Sequence, residues 1–166
     1  MPPPIVYGSG DAVTLGFFKL VEWRVMFSLW GPQRRLSFVH VADLVEGMLL
    51  AVMSDAAVGE TFTLTGPENG TAIEFQQAIA SAIGVRAVPV PVPHLLLRLA
   101  GAVSDVLQER RCRPSTFGSD KVADMLQEGW VFSGEKARRR LGFKPVTGFR
   151  EGVREALSWF REHHWL

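Results

Sequence analysis

The run Ile5-Val6-Tyr7, stopped by Gly8-Ser9-Gly10-Asp11, constrains the fold of this chain more than any other stretch. β-Branched and aromatic residues ending at a turn cluster read as a short buried strand feeding a loop. Such a strand needs neighbours on both sides, because each edge presents backbone N–H and C=O groups that must be paired. The rest of the sequence offers few. Arg35 to Val41 reads as a second strand. Thr61 to Thr65 alternates threonine with Phe62 and Leu64, the period of a third, and Gly66-Pro67 ends it. From Val88 to Pro93 valine alternates with proline, and the missing amide donors confine that segment to a sheet edge or an extended connector. Three or four short strands make a poor independent sheet, so the pattern predicts part of a larger one.

Helices are predicted between and after these strands. Thr14 to Arg24 forms the first. Asp43 with Glu46 has capping-box spacing and opens a helix through about Met53, with Val45, Leu49 and Val52 as its apolar face. Thr71 and Glu74 repeat that spacing, Phe75, Ile79 and Ile83 line one face, and Gly84 supplies a left-handed stop. Beyond Pro93 the pattern is helical throughout: Leu95 to Arg110, Ser119 to Leu126, Gly134 to Leu141, and Phe149 to Glu162, where Phe149, Val153, Ala156 and Phe160 keep helical spacing. The chain contains no internal repeat and no low-complexity tract.

Hydrophobic residues at 47% against 21% charged provide a real core. A formal charge of +1 argues against nucleic acid as a partner. The single cysteine, Cys112, builds neither an internal disulfide nor a zinc site, which favours a cytoplasmic protein. Its arginine neighbours favour a thiolate, but without a second cysteine or a histidine in the motif it reads as a surface thiol. His163 and His164 are adjacent rather than four apart, so no metal site is expected. The start of the chain has no secretory pattern, and no apolar run reaches the ~18 residues of a membrane span. In the Leu95 to Leu107 helix, Arg98, Asp105 and Gln108 form a narrow polar stripe, which reads as a helix buried under neighbours rather than one docked on a membrane. His40 reads as a buried histidine bonded to backbone. Asn69-Gly70-Thr71 is a formal glycosylation sequon without a secretory context.

Four segments in one order, PPPIVYGSGD (Pro2 to Asp11), RLSFVHVADLVEG (Arg35 to Gly47), GETFTLTGPE (Gly59 to Glu68) and EKARRRLGFKP (Glu135 to Pro145), resemble the C-terminal half of the extended short-chain dehydrogenases, the NAD-dependent epimerase/dehydratase family. The resemblance runs from Pro2 to Leu166. It implies an α/β fold: residues 1–88 form the last strands and helices of a Rossmann-like unit with part of a substrate lobe, and residues 89–166 form a mainly helical substrate-binding lobe. The family's glycine-rich cofactor turn and its Tyr-x-x-x-Lys pair have no counterpart; the only tyrosine, Tyr7, has Asp11 where the lysine would stand. Pro2 stands where the family has arginine, which implies a truncated or artificial start with the N-terminal cofactor half absent.

The resemblance assigns no catalytic residue. It places the backbone of Pro3, Pro4 and Ile5 near the nicotinamide, and Val6, Tyr7, Phe17 and Phe18 beside the substrate. Leu36 occupies the position of a diphosphate-binding arginine in sugar-nucleotide members, while Arg35, on the opposite strand face, is carried over as a substrate contact. With the aromatic neighbourhood of Phe17, Phe18, Trp23 and Trp30, this makes less polar hydroxyl or ketone compounds as fitting as sugar nucleotides. The implied function is the substrate-binding portion of an NAD(P)-dependent epimerase, dehydratase or reductase, inactive alone and without tight binding of NAD or NADP; the alternative is a non-catalytic binding or interaction module. The expected partners are a small-molecule substrate and either further copies of the chain or a complementing cofactor half, with no nucleic acid and no membrane.

Overall fold

The computed structural model describes residues 4–29, 34–99 and 131–166. In chain order these form β1 (Ile5–Tyr7), α1 (Ala12–Glu22), β2 (Val25–Leu29), β3 (Arg35–His40), α2 (Val41–Val52), β4 (Asn69–Thr71), α3 (Ala72–Ile83), β5 (Val88–Val92), α4 (Glu135–Leu141) and α5 (Phe149–Glu162). One sheet has the order β1-β3-β4, with β1 parallel and β4 antiparallel to β3; β2 and β5 pair in parallel as a second sheet. This is the mixed α/β class with a small partial sheet that the strand pattern predicts. Among the described residues β1 pairs only with β3, so its other edge carries no strand.

Helix α1 starts at Ala12, before the expected Thr14, because the Asp11 carboxylate caps it: its oxygens accept from Val13 N at 2.9 Å and from Thr14 N at 3.1 Å. The chain then turns through Arg24, at φ 62°, into β2, a strand absent from the sequence reading. The valine-proline segment does form an edge, β5, paired with Val25–Leu29. Gln76 of α3 holds β2 from the side: its Oε1 accepts from Phe27 N at 2.7 Å and its Nε2 donates to Phe27 O at 2.8 Å. A fully buried amide thus pairs both backbone groups of one strand residue, as a neighbouring strand would.

The capping box at Thr71 and Glu74 is present, with both reciprocal bonds, and Gly84 closes α3 at φ 84°. Helix α5 spans the expected residues. Two other readings are corrected. Asp43 does not cap α2: the helix begins at Val41 with His40 as its N-cap, which puts Asp43 inside the first turn. The helix is also turned the other way. Val45, Leu49 and Val52 are 49%, 57% and 85% exposed, while Asp43 and Gly47 face inward. Gly47 sets that orientation, since a Cβ there would stand 2.8 Å from Leu64 Cδ1.

The strand expected at Thr61 to Thr65 is not formed. Phe62 and Leu64 pack with Leu50 and Ala51 against Ala137, Leu141 and Phe143. The bond from Gly66 N to Phe38 O, 2.7 Å, ties the end of the segment to β3 without a ladder. The alternation therefore reports packing rather than pairing. The main core joins β1, β3, α1, α3 and α5 through Tyr7, Phe18, Phe38, Phe75, Phe149 and Phe160, so packing continues across residue 88. Its rings meet mostly edge to face, Phe38 and Phe149 at 4.9 Å for example, a geometry that adds to area burial. Residues 94–99 are helical, while Trp30, Cys112, Ser119 to Leu126 and the rest of the Leu95 to Arg110 helix lie outside the described residues. No described helix is long and apolar enough to cross a membrane.

Candidate functional site

In open parallel sheets ligands sit at the carboxyl ends of the strands. Here β1 and β3 end side by side, Tyr7 opposite His40, and each runs straight into a turn or helix. Gly8 makes this possible: its φ is 144°, and a Cβ there would come within 2.6 Å of Val41 Cγ1 and 3.0 Å of His40 Nε2. Helix α5 crosses above at Gly152, where a Cβ would meet Tyr7 Cε2 and His40 Cδ2, each at 2.8 Å. The strand ends are therefore roofed by a helix that can approach only through a glycine.

Three side chains fasten that roof. Asp43 accepts from Thr147 N at 3.0 Å, Thr147 Oγ1 at 3.1 Å and Val146 N at 3.4 Å. Glu68 Oε1 accepts from Phe149 N at 2.7 Å, capping α5, whose own N-cap is Gly148. Tyr7 Oη donates to Thr147 O at 3.5 Å. Burial raises the Tyr7 phenol far above its ordinary range, and the carboxylates of Glu68, Asp43, Glu151 and Glu155 push it the same way. Burial and these carboxylates thus favour the neutral phenol as a donor. His40 is fully buried, but neither ring nitrogen has a hydrogen-bond partner among the described residues; Glu155 Oε2 lies 3.8 Å from Nε2. This corrects the expectation of a backbone-bonded histidine.

The other candidate residues are spread around this point. Pro4 is buried and Ile5 half-buried opposite Phe38, while Pro3 lies outside the described residues. Val6 is 36% exposed. Phe18 is buried against Phe160, and Phe17 is half-buried with its ring 6.3 Å from Phe75. Trp23 is exposed. Arg35 opens β3 and so stands about 16 Å along the strand from His40; its Nη2 donates to Asn69 O at 2.8 Å. A groove between α3 and α5, with Glu74, Gln77, Ser81, Arg150 and Arg154 in its wall, includes none of Val6, Tyr7, Phe17, Phe18 or Arg35. His163 stacks on Trp159 at 4.0 Å rather than facing His164's position as a ligand pair.

Sequence reasoning missed Glu68, Gln76, Thr147 and Ser37, whose hydroxyl bonds Asn69 Oδ1 at 2.7 Å and Phe132 N at 2.9 Å. Each acts on a segment 32 or more residues away, so no local spacing announces it. A dinucleotide pyrophosphate needs free N–H groups at a helix N-terminus. The turn Gly8-Ser9-Gly10 does lead into α1, but the N–H groups of Val13 and Thr14 already bond the Asp11 carboxylate. An anion in that place blocks another, and the residues present do not fit a pyrophosphate.

No family model matches the chain. A ceramide reductase of Caulobacter vibrioides is 27% identical over 99% of the chain and 51% of the relative. A 3β-hydroxysteroid dehydrogenase/Δ5→4-isomerase of Mycobacterium tuberculosis is 23% identical over 95% of the chain and 44% of the relative. Among solved structures, UDP-glucuronic acid 4-epimerase of Bacillus cereus, in complex with NAD, superposes with a TM-score of 0.67 at 12% identity, over 96% of this chain and 43% of that one. The chain thus spans about half the length of the proteins it matches. These likenesses show a fold shared with part of the solved epimerases and a sequence similar to about half of each named relative, consistent with a C-terminal half of the extended short-chain dehydrogenases, the NAD-dependent epimerase/dehydratase family.

Proposed function

We propose that this chain is the substrate-binding portion of an NAD(P)-dependent reductase or epimerase, acting at a hydroxyl or ketone carbon of a small apolar molecule, with the cofactor held mainly by the nucleotide-binding half of that fold. The observation that carries this reading is the paired ending of the parallel strands β1 and β3 at Tyr7 and His40, the position at which open α/β sheets take their ligands. At the N-terminus of α1 beside this end, the Asp11 carboxylate takes the amides of Val13 and Thr14, which disfavours a pyrophosphate there. The cofactor, when bound to the other half, supplies or accepts hydride. This chain's residues would border the substrate, and the buried Tyr7 phenol faces the Thr147 carbonyl.

An apolar substrate is supported by Leu36, packed against the core where a sugar-nucleotide enzyme of this family would carry an arginine. Relatives named for ceramide and 3β-hydroxysteroid chemistry support the same class. The test is NAD(P)H oxidation by the chain mixed with a separately expressed nucleotide-binding half, offering a steroid ketone and a UDP-sugar in parallel. Turnover of the ketone by the mixture and by neither half alone is expected. Preference for the UDP-sugar would refute the substrate class, and activity of the chain alone would refute the division of labour.

A further inference from the structure

Trp23, 77% exposed, closes α1, and the carbonyl of Arg24 next to it accepts from Val88 N at 2.9 Å, so the indole stands at the start of β5. From there the segment Arg86 to Leu99 carries Arg86, His94 and Arg98 and no acidic residue. Val88 to Pro91 are all exposed, and Leu95, Leu96 and Leu99, expected beneath neighbours, are 68%, 56% and 54% exposed. Arg24, Arg86 and Arg98 have no ion-pair partner among the described residues, while Lys19 and Glu22, both exposed on α1 near the indole, offset each other. The bond from Val88 N turns the backbone groups of Val88, Val90 and Val92 towards β2 and those of Pro89 and Pro91 outward. Proline has no N–H, so this outer edge offers carbonyls alone. It takes on no added strand, and it brings fewer unpaired groups into an apolar surrounding than an ordinary edge does.

We infer that the surface formed by Trp23, β5 and residues 94–99 docks on an anionic lipid surface. It has the makeup of an interfacial segment: aliphatic side chains to enter the headgroup layer, an indole for its border and arginines to meet lipid phosphates. The inference stands on this geometry alone; under the function proposed above, such docking keeps the chain beside a reservoir of apolar substrate. A second copy fits less well, because a two-fold contact lays the same patch on itself and sets Arg24, Arg86 and Arg98 against their own kind. The exposed apolar residues of α2 do not make a second such surface, since that helix has no lysine or arginine.

Flotation of the full chain with vesicles of phosphatidylcholine, with and without phosphatidylglycerol, reads binding, and hydrogen exchange by mass spectrometry reads its location. Leu96→Glu and the double variant Arg86→Glu/Arg98→Glu alter exposed side chains, and their unchanged melting is checked first; Val52→Glu, on the exposed side of α2, is the control. We expect binding to the vesicles that contain phosphatidylglycerol, with slower exchange in peptides spanning Trp23 and residues 94–99. Each variant, and high salt, should weaken it by about tenfold or more, and the control should bind as the unmodified chain does. Should a variant melt early, exchange in the unmodified chain decides the location. No binding to either vesicle, equal binding to phosphatidylcholine alone, or binding without slowed exchange in those peptides overturns the inference. So does an equal loss in Val52→Glu. Slowed exchange on concentrating the chain without lipid overturns the choice of occupant. None of these results bears on the proposed function, which turnover reads separately.

Discussion

Replacing Asp43 tests how the C-terminal helix is attached. Its side chain is buried, and its two oxygens accept three bonds from the Val146-Thr147 segment that leads into α5. Two of these are well formed, at 3.0 and 3.1 Å; the third, at 3.4 Å, adds little. A hydrogen bond to a charged group contributes about 1.5 to 3 kcal/mol, and Asp43→Ala leaves both Thr147 donors unpaired, so a loss of about 3 to 5 kcal/mol is expected. That exceeds the roughly 0.5 to 2 kcal/mol of a lost N-cap and separates the two roles. Asp43→Asn keeps one acceptor and should cost about half as much. Urea unfolding gives the total, and amide exchange gives the location: Phe149–Glu162 should lose protection before α2 does. A double-mutant cycle with Thr147→Val should show coupling of at least about 1 kcal/mol. A loss of 1 kcal/mol or less, or one confined to α2, would refute the clamp.

Three further outcomes follow from the same packing. Tyr7 is the only tyrosine, so phenolate absorbance reports it alone; because its folded-state pKa is raised, its contribution to stability is complete below pH ~10 and is lost as pH rises, and the signal should appear only with unfolding. A reversible titration near pH 10 in the folded protein would contradict its burial. Gln76→Ala should cost about 2 to 4 kcal/mol in urea unfolding by stripping both backbone groups of Phe27, and a melt like that of the unmodified chain would show that β2 finds other partners. Lys136 and Arg140 bond Glu60 and hold its carboxyl below its ordinary value, so their contribution is present above pH ~4.5, fades as pH falls and weakens with salt; a Glu60→Gln variant with unchanged acid and salt dependence would contradict this.

Much of this fold was legible where local rules act alone. Thr71, Glu74 and Gly84 delimit α3 because capping bonds and a left-handed stop are made within a few residues. The bounds of α5 follow from its apolar spacing. The same local rule misplaced Asp43, since aspartate followed three residues later by glutamate looks alike whether the helix starts there or three residues earlier, and His40 gives no capping signal. The face of α2 was inverted for a related reason. Apolar residues occur all round it, and the inward direction is set by Gly47 against Leu64, a contact between distant segments. β2 escaped notice because the turn before it is made by Arg24 at positive φ rather than by glycine. At the candidate site, the resemblance named Val6 and Tyr7 at the end of β1 but left His40, at the end of β3, as a structural histidine, and the fastening by Asp43, Glu68 and Thr147 depends on tertiary pairing that no motif encodes.

The function proposed above gives this chain the substrate side of the fold and places dinucleotide binding mainly in the nucleotide-binding half. Calorimetric titration of NAD(H) and NADP(H) into the chain alone, and then into the chain with a nucleotide-binding half, tests it most directly. With Asp11 holding the amides of Val13 and Thr14, the chain alone should give no saturable heat, and binding should appear with the added half. A saturable one-to-one isotherm in the low micromolar range for the chain by itself would contradict the account.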